Sequence, residues 1–267
     1  MYSPKSKIPS SGSGFHSQGL GSPLPKFGPS SPTSGSHSPS EADTCSCLTE
    51  NGLAATPPVF ISTGISAADE VLGGGLPCGH ITEICGESGA GKSWFALRCI
   101  ASAQSQGLSC LIIDTECAFD ARWAIRQGVA PDALVLLRPD SFQEVQESVE
   151  EALYKKLANL LVIDSLDGLQ QSSAPGSNSN APSLYSFLPH LQTMVEGSGA
   201  ACLITSQFRE VGGTKVTLAN DVMRQCATVR ALLSIHSQSL YGLQLSLQVK
   251  RHNLLSECNT AALRLTF

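Results

Sequence analysis

The chain has 267 residues, a net charge of −5 and a sequence pI near 5.7, with 42% apolar residues. That is enough for one sizeable α/β domain or two small ones, and the acidic balance does not itself point to nucleic acid, although a local basic loop remains compatible with it. Ten cysteines occur without a CxxC pair or any Cys/His metal spacing, so zinc is not expected.

Residues 1–57 are rich in Ser, Pro and Gly and are expected to be a disordered tail, because so few apolar groups cannot offset the entropy of ordering. Ser3, Ser22, Ser31 and Ser38 each precede Pro, which suits proline-directed phosphorylation or simply accompanies this composition. Cys45 and Cys47 lie in this tail and receive no role. The remaining cysteines mostly sit in apolar runs, as small buried hydrophobes do. With no signal peptide and no apolar run of membrane length, a reducing intracellular compartment and no membrane partner are expected. The Ser-Pro tail favours a nucleus; a bacterial cytoplasm or an organelle is the alternative.

From residue 58 onward apolar runs alternate with amphipathic ones, and a single domain over residues 58–267 is expected. Ile81–Cys85 reads as a strand and runs into a glycine loop. Ser93–Gln104 reads as a helix with Ala96, Cys99, Ile100 and Ala103 on one face. Leu111–Asp114 is a buried strand, Asp120–Gln127 a short helix, Leu134–Leu137 a strand and Phe142–Leu157 a helix. Leu160–Asp164 is a strand, Leu184–Val195 a helix expected to break early at Pro189, and Ala201–Thr205 a strand. Val229–His236, Leu243–Lys250 and Ala261–Phe267 read as antiparallel strands. The alternation predicts an α/β fold with a mostly parallel sheet flanked by helices.

Gly86-Glu87-Ser88-Gly89-Ala90-Gly91-Lys92-Ser93 matches the phosphate-binding loop in full, between a strand and a helix. Glycines let backbone N–H groups turn inward around phosphate. Lys92 is expected to reach the β- and γ-phosphates of ATP and the Ser93 hydroxyl to bind Mg²⁺; the helix N-terminus favours the anion. Asp164 ends an apolar strand, where a second carboxylate meets the metal. Glu116 follows the Leu111–Asp114 strand, at the carboxyl end where ligands bind in such sheets, and is the candidate catalytic base. Asp114 is read as structural.

At this point the sequence resembles the RecA recombinase family, from about Phe60 to Lys250. The resemblance is densest in Ser62-Thr63-Gly64, Asp69 and the run Leu72-Gly73-Gly74-Gly75-Leu76-Pro77-Cys78-Gly79-His80-Ile81-Thr82-Glu83-Ile84-Cys85-Gly86, which is shared with eukaryotic recombinase paralogues and KaiC-like proteins. Asp114-Thr115-Glu116-Cys117-Ala118-Phe119-Asp120 resembles the family's segment with the catalytic glutamate, which falls on Glu116. The resemblance places adenine contacts on Asp120 and Trp123, a flat face for the base beside an acceptor for its amine; Trp123 packing in the core is the alternative. It places the γ-phosphate sensor on Gln207, within Ser206-Gln207-Phe208-Arg209, and cations that reach a neighbouring subunit's ATP on Lys250 and His252.

The resemblance implies a RecA-like core and a DNA-dependent ATPase of recombination and repair, with single-stranded DNA and other recombinase-family subunits as partners. Departures accompany it. The chain ends at Phe267, before a bacterial-type C-terminal domain is expected, and no Phe-x-x-Ala stands before the core. The first DNA loop falls on Ser172–Pro182, without a cation; the second, Phe208–Thr217, offers Arg209 and Lys215 against Glu210 and is expected to be kept mobile by Gly212-Gly213. An accessory paralogue fits these departures. The other reading is a RecA-fold ATPase of KaiC-like signalling or assembly type without DNA.

Overall fold

A computed structural model describes residues 59–171, 183–211, 214–240, 242–255 and 259–266. The expected tail and the whole of the expected first DNA loop lie outside the described residues. In chain order the elements are β1 (Phe60–Ile61), α1 (Ser66–Val71), β2 (Leu76–Pro77), β3 (Ile81–Gly86), α2 (Lys92–Ser105), β4 (Cys110–Asp114) and α3 (Ala121–Arg126). After a 3₁₀ turn at Pro131–Ala133 come β5 (Leu134–Leu137), α4 (Phe142–Tyr154), β6 (Leu160–Asp164), α5 (Leu166–Gln171), α6 (Leu184–Ser198), β7 (Ala201–Val211) and β8 (Thr214–Thr217). The chain closes with α7 (Asn220–Cys226), β9 (Ala227–Ser239), β10 (Gly242–His252) and β11 (Thr260–Thr266).

β1 and β2 form a small antiparallel pair, and the main sheet runs β11-β10-β9-β3-β7-β6-β4-β5 with β8 beside β7. From β5 across to β9 every neighbouring pair is parallel; β10 and β11 add antiparallel. This is the expected mostly parallel α/β sheet, with one difference. The pattern at Val229–His236 predicts antiparallel pairing only, yet the first half of β9 also pairs parallel with β3. Helix α7 supplies the crossover that parallel pairing requires.

The sheet is buried on both faces because each strand alternates its side chains between two cores. In β4, Cys110 and Ile112 join the core under α1 and α2, while Leu111 and Ile113 join the one under α4 and α6. β6 divides likewise, with Leu160 and Val162 on the first face and Leu161 and Ile163 on the second. Ala96, Cys99, Ile100 and Ala103 of α2 are all fully buried, as their helical spacing predicts. On the second face Phe142 of α4 meets Phe187 of α6 edge to face, with ring centroids 5.4 Å apart.

Helix α6 corrects one expectation. It does not break at Pro189 but runs unbroken to Ser198. Proline removes one backbone hydrogen bond and disfavours the helix interior. Here a Ser183/Ser186 capping box, a left-handed Gly199 C-cap and the burial of Phe187, Leu188, Leu191 and Val195 outweigh that loss.

A second correction concerns Phe208–Thr217. Instead of a loop, its arms Phe208–Val211 and Thr214–Thr217 pair as an antiparallel hairpin, with Phe208 opposite Thr217, Arg209 opposite Val216, Glu210 opposite Lys215 and Val211 opposite Thr214; Gly212 and Gly213, expected to keep it mobile, lie outside the described residues. Extended residues on both sides of the glycines complete a ladder, which satisfies backbone groups that a loop leaves to water.

Candidate nucleotide site

Sheet register builds the site. β3 and β7 pair Gly86 with Gln207, and β4 and β6 pair Asp114 with Asp164. Gln207, Asp164 and the turn carrying Glu116 therefore line up with the phosphate loop at the carboxyl ends of adjacent strands. A cavity of about 370 Å³ opens there. Lys92, Ser93, Glu116, Trp123, Asp164 and Gln207 all contribute to its wall.

The loop leaves β3 at Gly86, where a Cβ would stand 2.4 Å from the carbonyl oxygen of Leu233. Only glycine fits that approach. Gly91 caps α2 with φ +89°, a left-handed conformation that side chains disfavour. Glu87, Ser88 and Gly89 are exposed, and Ala90 is buried and anchors the loop.

Lys92 folds back, its Nζ donating to the carbonyls of Gly86 at 3.2 Å and Glu87 at 2.9 Å. Burial lowers its pKa, opposed by the nearby charges of Asp164, Asp167 and Glu116. An ammonium held between neutral carbonyls in the mouth of a cavity is placed to turn toward an entering anion.

Asp164 accepts from the Thr205 hydroxyl at 2.5 Å and from Ser93. Burial raises its pKa above the usual carboxylate value; the two hydroxyls oppose that rise, and the charges of Glu116 and Asp114 add to it. A half-buried carboxylate beside the loop serine, with like charges around it, is a donor set that a hard divalent cation satisfies.

Glu116 stands on a turn organised from below. Asp114, 3% exposed, accepts from the backbone N–H of Ala118 at 2.9 Å and of Phe119 at 3.0 Å. Arg138 bonds the same carboxylate at 2.9 Å and the Phe119 carbonyl at 3.0 Å. The structural role read for Asp114 thus has its partners. Glu116 itself accepts a hydrogen bond from the Ser165 hydroxyl. Thr115 ties the turn to β6, donating to the Ser165 carbonyl at 2.7 Å and accepting from its N–H at 2.9 Å.

Asp120 caps α3, its Oδ1 accepting from the N–H of Arg122 at 2.8 Å and of Trp123 at 3.2 Å. It also lines a small recess of about 30 Å³ with Ser93, Trp123 and Asp164. Trp123 combines both of its readings: it packs against the first core and lines the cavity. Gln207 is half-buried at the cavity wall, and its backbone N–H donates to Asp167 at 2.6 Å.

Other expected residues lie elsewhere. His252 is only 6% exposed; its Nε2 meets the Leu72 carbonyl at 3.1 Å and its Nδ1 accepts from the Leu254 N–H at 3.2 Å. With both ring nitrogens engaged inside the fold, His252 offers nothing to a neighbouring subunit in this arrangement, a correction of its expected placement. Lys250 is exposed on β10 and bonds Gln248 at 2.5 Å. Arg209 and Lys215 lie on the two strands of the hairpin, paired with Val216 and Glu210. Sequence reading missed Ser165, Thr205, Asp167 and Arg138. The Asp164-Ser165-Leu166-Asp167 run, polar groups set directly after a buried strand, was the available signal for two of them.

A parallel sheet, a complete phosphate loop and two carboxylates at the strand ends define a phosphate-loop α/β protein. The model of the RecA N-terminal domain matches residues 53–179, and this match together with the relatives below supports membership of the RecA family. It is 32% identical over 185 residues to Protein RecA of Chlorobaculum tepidum, covering 64% of this chain and 53% of that one. It is 44% identical over 110 residues to Protein RecA of a Wolbachia of Drosophila simulans, covering 41% of this chain and 31% of that one. It is 41% identical, again over 110 residues, to the mitochondrial DNA repair protein recA homolog of Dictyostelium discoideum, covering 41% of this chain and 24% of that one. The chain spans about half or less of the length of these curated relatives.

Proposed function

We propose that this chain binds ATP with Mg²⁺ in the cavity at the strand ends and hydrolyses it in response to single-stranded DNA, serving recombination and repair. It does so as a small recombinase or an accessory paralogue working with other recombinase-family subunits. The observation that carries this reading is the convergence of Lys92, Ser93, Glu116, Asp164 and Gln207 on one cavity.

In this reading Gly86 to Ser93 cradle the phosphates, Lys92 leaves its two carbonyls for the β/γ-phosphates, and Ser93 and Asp164 hold Mg²⁺. When bound, the metal would neutralise phosphate charge. Glu116, held by Ser165, orients and deprotonates the attacking water. Gln207 senses the γ-phosphate and opens directly into the hairpin that bears Arg209 and Lys215. Trp123 and Asp120 take the adenine. Lys250 is left as the cation of β10 directed to a neighbouring subunit's nucleotide.

The relative named as a mitochondrial DNA repair protein supports a repair role, and it favours an organelle over the nucleus. No helix among the described residues is long and apolar enough to cross a membrane. A RecA-fold ATPase without DNA, of KaiC-like signalling or assembly type, remains the second reading, favoured by the net charge of −5 and by Glu210 standing opposite Lys215.

The test is ATP hydrolysis by the full chain with and without single-stranded DNA, at low and moderate salt. Stimulation that weakens with salt is expected, since phosphate contacts release counterions. Hydrolysis indifferent to DNA supports the second reading, and absence of ATP binding overturns both.

A further inference from the structure

Glu83 lies in the middle of β3 with no exposed surface. A carboxylate inside a sheet is costly unless its charge and lone pairs are matched. Its Oε1 accepts from the Ser206 hydroxyl at 2.6 Å, and its Oε2 takes the Nε of Arg230, its register partner on β9. The Arg230 side chain is 12% exposed, and its Nη2 donates to Thr217 Oγ1 at 3.2 Å and to Asn220 Oδ1 at 3.0 Å.

Through Glu83, the Arg230 guanidinium thus joins β3 to the end of β8 and the start of α7. Glu83 stands on the strand that becomes the phosphate loop at Gly86. Ser206 is the immediate neighbour of Gln207. Thr217 is the last residue of the hairpin's second strand, and Asn220 opens α7. A buried ion pair adds little stability over an apolar pair of the same volume. What it adds is directional: a planar fork that fixes several partners in one geometry.

We propose that the Glu83–Arg230 pair is a positioning device that pins the base of the hairpin to the phosphate-loop strand, so that nucleotide binding alters the hairpin through Arg230 as well as through Gln207. The pin stands on the contacts alone; its response to nucleotide rests on the function proposed above.

Hydrogen exchange of the full chain and of Arg230→Lys, each with and without ATP and Mg²⁺, tests both parts. Lysine keeps a charge for Glu83, but a single ammonium cannot also span Thr217 and Asn220. Without nucleotide, the variant is expected to exchange faster at Phe208–Val211 and Thr214–Thr217 while the amides of β4 stay as in the parent. With nucleotide, the parent's hairpin exchange changes, and the variant loses that response by a factor within the roughly 5- to 150-fold span of allosteric couplings, at unchanged ATP affinity measured by a fluorescent analogue. A general loss of structure would expose β4 as well.

Hairpin exchange identical in the two proteins without nucleotide overturns the pin. A full nucleotide response in the variant overturns the coupling. If the parent binds no ATP, the proposed function and the coupling fall, and the nucleotide-free comparison still decides the pin. Should Arg230→Lys not fold, Glu83→Gln gives the same comparison, because it keeps an acceptor for Ser206 and removes the charge.

Discussion

Among the described residues, the Lys92 ammonium bonds the loop's own carbonyls, so its role is separable from folding. Lys92→Ala is expected to abolish ATP binding with little change in stability; titration with a fluorescent ATP analogue beside a denaturation curve checks it. Glu83 is the opposite case. Glu83→Ala strands Arg230 inside the sheet, and breaking a buried pair from one side costs about 3–5 kcal/mol, to be read by equilibrium unfolding. His252 carries a pH signature. Burial lowers its pKa below the ordinary 6.5, opposed by the Leu72 carbonyl and reinforced by His80. As pH falls through 6.5 the unfolded chain takes up a proton that the folded chain refuses, so stability drops below that pH until the lowered folded value is reached. His252→Gln removes this contribution, and its unfolding free energy is expected to fall less steeply than the parent's between about pH 7 and pH 5.

At the scale of elements, the turn carrying Glu116 depends on α5. A Cβ on Gly168 would stand 2.2 Å from Thr115 Oγ1, the atom that ties the turn to Ser165. Gly168→Ala therefore pushes the turn outward while leaving the phosphate loop alone. Turnover is expected to fall more than ATP affinity does, and stability to drop by about 1–3 kcal/mol as in other overpacked sites; steady-state kinetics and thermal unfolding separate the two. The same contact shows what element-level reading misses. The spacing of apolar residues places β4, β6 and α2 to within a residue or two, yet nothing local to Gly168 hints that it touches the turn carrying Glu116. Pro189 misleads for a related reason. Its local preference is against a helix, and only the packing of Phe187, Leu188 and Leu191 outweighs it.

On the scale of the whole molecule, charge decides the partner. A chain of net charge −5 holds DNA only through a local cluster of cations, and the hairpin is the expected place. Arg209→Ala combined with Lys215→Ala is expected to weaken single-stranded DNA binding and to flatten its logarithmic salt dependence by about 0.7 for each phosphate that is no longer neutralised. Affinity measured at several salt concentrations checks this; an unchanged slope removes the hairpin as the DNA-binding element. The Glu83–Arg230 pair gives the hairpin a link to the phosphate-loop strand that does not run through the cavity itself.

By itself the sequence determined the phosphate loop, the strand-terminal Asp164, the carboxylate Glu116 after a buried strand and the alternation that makes a parallel sheet. These are local patterns whose chemistry needs residue types at fixed spacing, so one segment at a time suffices to read them. Tertiary structure alone decided that Ser165 holds Glu116, that Thr205 holds Asp164, that Arg230 finds Glu83 and that His252 turns inward. Those partners lie far apart along the chain; register between parallel strands, which no single segment encodes, brings the first three pairs together, and the fold of β10 against α1 brings in His252. A charged Glu83 within an apolar strand signals that a buried partner exists; naming Arg230 as that partner required the sheet.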